Sequence, residues 1–530
     1  MKQRYIAAML LGLTTIGSAY AADAPAGKKV YVTVGAEGYQ VFQRFIDSDI
    51  KLLDQSTLPT SLQPMAGMKT IPHETVHVIE VDEAKLNKMG GMVHMFMRRC
   101  GGFVAHETLE QARASLKVPS MSFAARPSYK IDNQTIVTPL LSQMQEAPIY
   151  TTISDLSAFA NRFYQTQGGV KGSNYILNKW KQLAGNRSDI TVETFSHSWL
   201  QKSVIMTIQG SDPTLGKEVV VLGGHQDSIH GRAEDMREDS RAPGADDDAS
   251  GIASMTEVIR VMMANNYKPK RTIKFMAYAA EEVGLRGSYE IAAKYKADGV
   301  NVIGVMQLDM TNFKGSDADI YLYTDYTDQQ QNAFVESLIK TYLPTLKIGF
   351  DKCGYGCSDH YSWYNQGIPA SMPFEAAFNS YNRAIHSERD TLATMGDQVQ
   401  HALKFAKLGM AYMVELGSDG DTGGGTPGGG ARTISDNNVT LKQGGVKSYG
   451  PYKVQGGTNF TANISGTGDA DLYVRIGGQP STKQYDCRPY KNGSNEKCVV
   501  KVPSSSDVYI MIRGYEESVY SLTGGYTATK

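Results

Sequence analysis

From Ser154 to Leu416 the chain alternates short apolar runs with longer amphipathic ones, a rhythm that leaves few architectures open. Residues 203–208, 218–223, 272–278, 302–308 and 320–324 read as strands, and 250–264, 286–296 and 329–342 read as helices between or after them. Strands that are apolar almost throughout must be covered on both faces. The pattern therefore predicts an α/β fold, a mixed and mostly parallel sheet flanked by helices. Ahead of it, Ser154 is placed to cap a helix carrying Leu156, Phe159 and Phe163, and a second amphipathic helix is expected near 174–183.

A chain of 530 residues outgrows one hydrophobic core, so further units are expected. The stretch GSDGDTGGGTPGGGA offers almost nothing that packs and marks a flexible linker at 418–432, closing a central domain at 141–417. Beyond it, 433–530 carries short alternating runs broken by Gly, Asn and Ser, which predicts a small β-sandwich. In front, 22–140 holds apolar runs at 29–34 and 76–81 and a Met-rich stretch at 89–97, enough to fold as a unit. None of its histidines, His73, His77, His94 and His106, has a carboxylate spaced as in a recognisable metal site. The opening residues, MKQRYIAAMLLGLTTIGSAYAADAP, combine Lys2 and Arg4, a short apolar run, and Ala19 and Ala21, as a secretory leader over 1–21 does. That run is shorter than the roughly 20 apolar residues a membrane-spanning helix needs, so a secreted, extracellular protein without a membrane anchor is expected.

The cysteines suit an oxidising compartment. Cys353 lies close to Cys357 and Cys487 to Cys498, which predicts two local disulfides and leaves Cys100 without an evident partner. A formal net charge of −1 supplies no general field for nucleic acid or an anionic membrane, so neither is expected as a partner. The chain is expected to act as a monomer, through local sites.

Four segments put metal-ligating residue types at predicted strand ends or in the loops after them, where open α/β sheets build their sites: VVVLGGHQDS, PGADDDASG, AAEEVGLRGS and QLDMTN. A fifth, RAIHSERDT, adds His386. Each alone has a plainer reading: His225 as a loop histidine, Asp246–Asp248 as a solvated turn and helix cap, Glu281 and Glu282 as a charged helix start. Together, carboxylates gathered at one sheet edge repel unless cations neutralise them. Two histidines and three carboxylates suit zinc, and a glutamate beside a ligand but not itself a ligand suits proton transfer to and from a water.

The motifs NRFY, QKSV, GGHQDS, APGADDDASG, AAEEVGLRGS, LDMTN, CGYGCSDH, MPFEAAFNSYN and IHSERDT occur in one order over about half the chain. In them the sequence resembles the secreted bacterial leucyl aminopeptidases, di-zinc exopeptidases of α/β fold. The resemblance implies two Zn2+ ions, one held by His225 and Asp309 and the other by Glu282 and His386, with Asp247 bridging. It implies that Asp227 orients His225, that Glu281 is general base and then acid toward a water activated between the metals, and that the Asp247–Asp248 peptide is cis. Met310, Tyr355, Cys357, Met372, Phe374, Phe378, Tyr381 and Ile385 match an apolar pocket for leucine-like side chains at the N-termini of peptides and proteins, whose free amine coordinates one metal. Residues 22–140 correspond to a propeptide that assists folding and restrains activity. Two departures bear on specificity: a longer, more charged loop at 231–241, and Arg383, which leaves room for a substrate carboxylate. The C-terminal segment, with GDADLYVR, YDCRPY and YIMIRGYEESVYSLTGGY, resembles the bacterial pre-peptidase C-terminal domain. That implies either contact with a surface or insoluble substrate through a Tyr-rich face, or an accessory role in secretion or folding.

On the same fold, a carboxypeptidase or glutaminyl cyclase is the nearest alternative, and activity on amino-terminal versus carboxy-terminal substrates separates them. A surface-binding module with a dead peptidase unit predicts lost ligands, whereas all five ligand positions and Glu281 are present.

Overall fold

The computed structural model describes residues 28–46, 50–61, 71–97, 101–118, 127, 129–231, 235–418 and 431–529. The expected leader at 1–21, Cys100 and most of the glycine-rich linker lie outside the described residues. The chain forms two compact units, Met1–Thr422 and Gly423–Lys530.

In the first unit, strands β1 (Lys29–Gly35), β2 (Lys51–Pro59), β3 (His73–Asp82) and β4 (Phe103–His106) form an antiparallel sheet of order β2-β3-β1-β4. Val30, Val32, Phe42, Ile79, Leu86, Met89 and Phe103 give this N-terminal segment a core of its own.

The larger sheet is built from β5 (Ile190–Phe195), β6 (Ser203–Ile208), β7 (Glu218–His225), β8 (Thr272–Tyr278), β9 (Asn301–Gln307), β10 (Ile320–Tyr323), β11 (Ile348–Asp351) and β12 (Ala370–Phe374). Its order is β11-β10-β12-β9-β7-β8-β6-β5. The central strands β12, β9, β7 and β8 run parallel, and antiparallel pairs lie toward both edges. Alternation along β7 shows why the strands read as continuous apolar runs. Val220 and Leu222 join a core with the helices Ala249–Ala264 and Gln400–Ser418, while Val219 and Val221 join the opposite core with Arg286–Ala297 and His360–Asn365.

Two local expectations are corrected. Ser154 does not open a helix; it sits near the end of Glu146–Ser157, and Phe159 and Phe163 lie past that end. Ile149, Ile153 and Leu156, spaced along one helical face and buried, set the earlier start, and Pro148 is tolerated in the first turn. The next helix also starts earlier, at Gln167–Ala184, because Thr166 caps it by accepting from Gly169 N at 3.2 Å. The sequence reading also passed over β5, β11 and β12. β5 and β11 are partly exposed sheet edges, and Pro373 masks β12 as a strand.

The second unit is an antiparallel sandwich. Its sheets pair Ala431–Leu441, Asn459–Thr467, Glu496–Lys501 and Ser518–Thr527 on one side, and Val446–Val454, Ala470–Ile476 and Ser506–Gly514 on the other. Both local disulfides form, Cys353 to Cys357 in the first unit and Cys487 to Cys498 in the second. No helix among the described residues is long and apolar enough to cross a membrane.

Trp180 ties the Gln167–Ala184 helix to the core: it is fully buried, and its Nε1 donates to Thr256 Oγ1 at 3.0 Å. Trp180→Ala is expected to lower unfolding free energy by about 3–5 kcal/mol in denaturant titration of the full chain. A loss below ~1 kcal/mol contradicts this packing.

Candidate metal centre

The parallel neighbours β9, β7 and β8 end side by side, and most of the charged residues singled out from sequence emerge there. His225 is the last residue of β7, Asp309 follows β9, Glu281 and Glu282 follow β8, Asp247 precedes the helix Ala249–Ala264, and His386 lies in the loops after β12. Close packing of that helix on the strand ends demands glycine. A Cβ on Gly251 stands 2.3 Å from Leu308 O, and one on Gly224 stands 2.8 Å from the same atom.

Asp248 locks the arrangement. Its Oδ1 accepts from Gly251 N (2.9 Å) and Met310 N (3.1 Å), and its Oδ2 from His225 N (3.0 Å), so one carboxylate joins a helix start to two strand ends. With both oxygens committed to amides, Asp248 is a cap rather than a ligand, although it lies close enough to His225 and Asp309 to be one. The peptide joining it to Asp247 is cis.

Asp247 faces the other way. Its Oδ1 is 2.9 Å from His225 Nε2 and its Oδ2 is 3.0 Å from His386 Nε2. Beyond His225 stands Asp309 (Nε2 to Oδ1 3.6 Å), and beyond His386 stands Glu282 (Nε2 to Oε2 2.8 Å). Two histidine–carboxylate pairs thus share one carboxylate. Asp227 lies 3.5 Å from His225 Nδ1 and accepts from the amides of Glu281 (3.0 Å) and Glu282 (3.2 Å). Ser358 donates to Asp309 Oδ2 at 2.5 Å, a contact with no signal in the sequence beyond its place in CGYGCSDH.

These groups are all buried. Ligand atoms in the clusters lie within 4.8 Å of one another, where like unit charges repel by about 3–4 kcal/mol at an effective dielectric of ~20. Burial, resisted by His225 and reinforced by Glu282, Asp359 and Asp309, pushes the Glu281 carboxyl well above its usual range. Burial and then the charge of Asp247 push Glu282 up to about 7. Asp247 stays below the usual range because His225 and His386 outweigh its burial. Both carboxylate oxygens of Glu281 and Oδ1 of Asp309 are buried without a hydrogen-bond partner. Cations resolve that mismatch, and the mixed imidazole and carboxylate donors fit zinc.

Beside the cluster is a small apolar cavity lined by Asp309, Met310, Tyr323, Cys353, Tyr355, Cys357, Met372, Phe374, Phe378 and Tyr381. Tyr323 and Cys353 were not anticipated. Ile385 belongs to the same apolar cluster but does not line the cavity. Arg383 does not enter it either: its guanidinium lies 4.5 Å over the Tyr381 ring and donates to Asn379 O at 2.5 Å. The loop 231–241 is partly outside the described residues; Arg237 O and Ser240 O within it accept from Asn161 Nδ2.

The N-terminal segment reaches the centre as well. His94 Nδ1 is 2.8 Å from His386 Nδ1, a Cβ on Gly101 stands 3.5 Å from Glu281 Oε1, and one on Gly90 stands 2.7 Å from Glu282 O. Arg286 anchors this segment through Glu83 (2.5 Å) and Glu107 (3.2 Å) while its guanidinium covers the Trp199 ring at 4.3 Å. Sequence reasoning missed His94, whose partner is distant in the chain and whose neighbours offer no ligand spacing.

The family model of Peptidase family M28 matches residues 203–408, and that of the bacterial pre-peptidase C-terminal domain matches 453–514. A protein of Trichophyton verrucosum named "Probable leucine aminopeptidase" is 34% identical over 57% of this chain and 81% of its own length. One of the same name from Arthroderma otae is 31% identical over 67% of this chain and 93% of its own. Among solved structures, the LapA aminopeptidase of Legionella pneumophila is 27% identical with a TM-score of 0.61, covering 75% of this chain and 100% of that one. LapB of the same organism gives 27% and 0.59 over 74% of this chain and 100% of its own.

Returning Zn2+ to chelated protein is expected to raise its unfolding midpoint, by the equivalent of about 2.7 kcal/mol at a hundredfold excess over Kd. In Asp247→Asn the rise should largely vanish. A full rise in that variant places the metal elsewhere.

Proposed function

Because the chain belongs to Peptidase family M28 and is a metallo-aminopeptidase, we propose that it is a secreted enzyme that removes leucine-like residues from the N-termini of peptides and proteins with two zinc ions. The observation that carries this reading is the pair of histidine–carboxylate pairs sharing Asp247, beside Glu281 and next to an apolar cavity. His225 and Asp309 would hold one ion and Glu282 and His386 the other, with Asp247 common to both. When bound, the ions supply Lewis acidity toward the scissile carbonyl and acidify the attacking water.

The remaining work falls to side chains of this chain. Glu281, free of hydrogen bonds at both oxygens, accepts the proton of the attacking water and passes it to the departing amine. Asp227 stands 3.5 Å behind His225 Nδ1 while accepting the Glu281 and Glu282 amides, which keeps base and ligands in register. Met310, Met372, Phe374 and Phe378 offer a leucine-like side chain an apolar wall. Arg383, held at the rim, gives no support for a preference toward acidic residues.

Residues 22–140 act in this reading as a propeptide that restrains activity, since Gly90, His94 and Gly101 stand against the very residues assigned to chemistry. The C-terminal sandwich exposes Tyr490 (74%), Tyr515 (56%) and Tyr485 (43%), amphipathic side chains suited to contact with an insoluble substrate or a cell envelope.

Processed enzyme is expected to cleave leucyl substrates, to cleave glutamyl ones slowly, to ignore N-blocked leucyl ones, and to lose activity on chelation. Comparable rates on the blocked substrate sink the exopeptidase reading. Glu281→Gln should retain zinc while kcat falls by about 10²–10⁴-fold; unchanged turnover assigns the proton to another group. Cleavage between the N-terminal segment and the rest should raise kcat/KM, and an intact chain as active as the processed one removes the restraint.

A further inference from the structure

The proposed function leaves the NRFY motif, residues 161–164, without a task. Arg162 is fully buried, yet its guanidinium donates only to main-chain carbonyls: Nε to Gln226 O (2.8 Å), Nη1 to Pro243 O (2.5 Å) and Leu156 O (3.3 Å), and Nη2 to Gly244 O (2.8 Å). Burial pulls it down to about 10, with the charges of Asp390, Asp248, Asp227 and Asp247 opposing, so it remains a cation at neutral pH. Gln226 lies between His225 and Asp227, and Pro243 and Gly244 lead into Asp247. One side chain therefore straps the His225 loop to the loop carrying the shared carboxylate.

The other end of that loop is gripped by a carboxyl group. Asp390, 1% exposed, accepts from Asp246 N (3.1 Å) and Asp247 N (3.1 Å), and its own carbonyl accepts from Ala245 N (3.1 Å). Asn382 Nδ2 donates to Asp390 Oδ1 (3.2 Å) and to Asp246 Oδ2 (3.0 Å), closing the frame. Asp390 stands on the segment that carries His386. The loop 243–247 is thus held on its carbonyls by a guanidinium tied to the His225 side and on its amides by a carboxyl tied to the His386 side. Neither group is placed to touch metal or substrate.

We propose that Arg162 and Asp390 are positioning residues that set the two halves of the centre separately, Arg162 fixing Asp247 against His225 and Asp390 fixing it against His386. This rests on the shared-carboxylate reading above. Each loss should disturb a different one of the two ion sites. Partners of this kind typically account for 10–100-fold in metal affinity.

The test is Co2+ titration of the metal-free full-length chain, followed by visible absorption, for wild type, Arg162→Lys and Asp390→Asn. Lysine keeps the charge but presents a point donor that cannot span the carbonyls; asparagine keeps the shape but turns one of the two accepting oxygens into a donor. Each variant is expected to bind one Co2+ as wild type does and the second at least about tenfold more weakly, with a different absorption band lost in each. With processed enzyme, kcat should fall while KM for a leucyl substrate holds, because the apolar cavity is untouched. Wild-type-like uptake of both ions by both variants overturns the proposal, as does equal weakening of both sites with a collapsed melting temperature. Should Arg162→Lys fail to fold, Asp390→Asn decides by the same readout. Wild type that binds fewer than two ions overturns instead the two-zinc reading.

Discussion

The centre depends on one carboxylate standing within 3.0 Å of two imidazoles that reach it from different parts of the sheet. Asp247 can do this only because its neighbours take over the ordinary duties of a helix start. Asp248 caps the helix, Asp246 meets Asn312 N and Asn382 Nδ2, and Asp390 receives the amides of Asp246 and Asp247, while the Asp247 carboxylate meets the two imidazoles. Three consecutive aspartates thus have different tasks, and the identity of the residue says nothing about which one each performs. Their common burial raises the energetic stakes. Clustered carboxylates in a low-dielectric setting need protons or cations, and a donor set of imidazole and carboxylate selects the latter when zinc is at hand.

The N-terminal segment packs against this buried cluster with a histidine against His386 and with glycines, whose missing side chains let main chain approach Glu281 and Glu282. Its attachment runs through Arg286, which starts the helix just after those glutamates, and through Ala105 N donating to Gly284 O at 3.0 Å. Anchor and covered site are therefore neighbours on one strand-to-helix loop.

Much of the fold was legible because both faces of the central strands are buried, so β6, β7, β8 and β9 announce themselves as continuous apolar runs, and the site segments sit at their ends. Edge strands were not, since half-exposed β5 and β11 lack that signal and β12 contains proline. Helix boundaries slipped where a serine that suits a cap sits instead near a helix end, because the buried Ile149–Ile153–Leu156 face had already fixed the start upstream. In the pocket, Arg383 reads as a charge near the ligands but is drawn away by the Tyr381 ring and the Asn379 carbonyl.

Residue chemistry by itself determined the α/β class, the two local disulfides, and the inventory of histidines and carboxylates from which a metal site had to be drawn, since each rests on hydrophobic period, short loop length or side-chain type. Only the tertiary structure decided which oxygen of which aspartate faces which imidazole, that His94 meets His386, and that Arg162 and Asp390 hold opposite backbone polarities of one loop. Those facts depend on hydrogen bonds of about 3 Å between segments far apart in sequence. No local pattern encodes a distance that arises only when separate strands and loops are packed against one another.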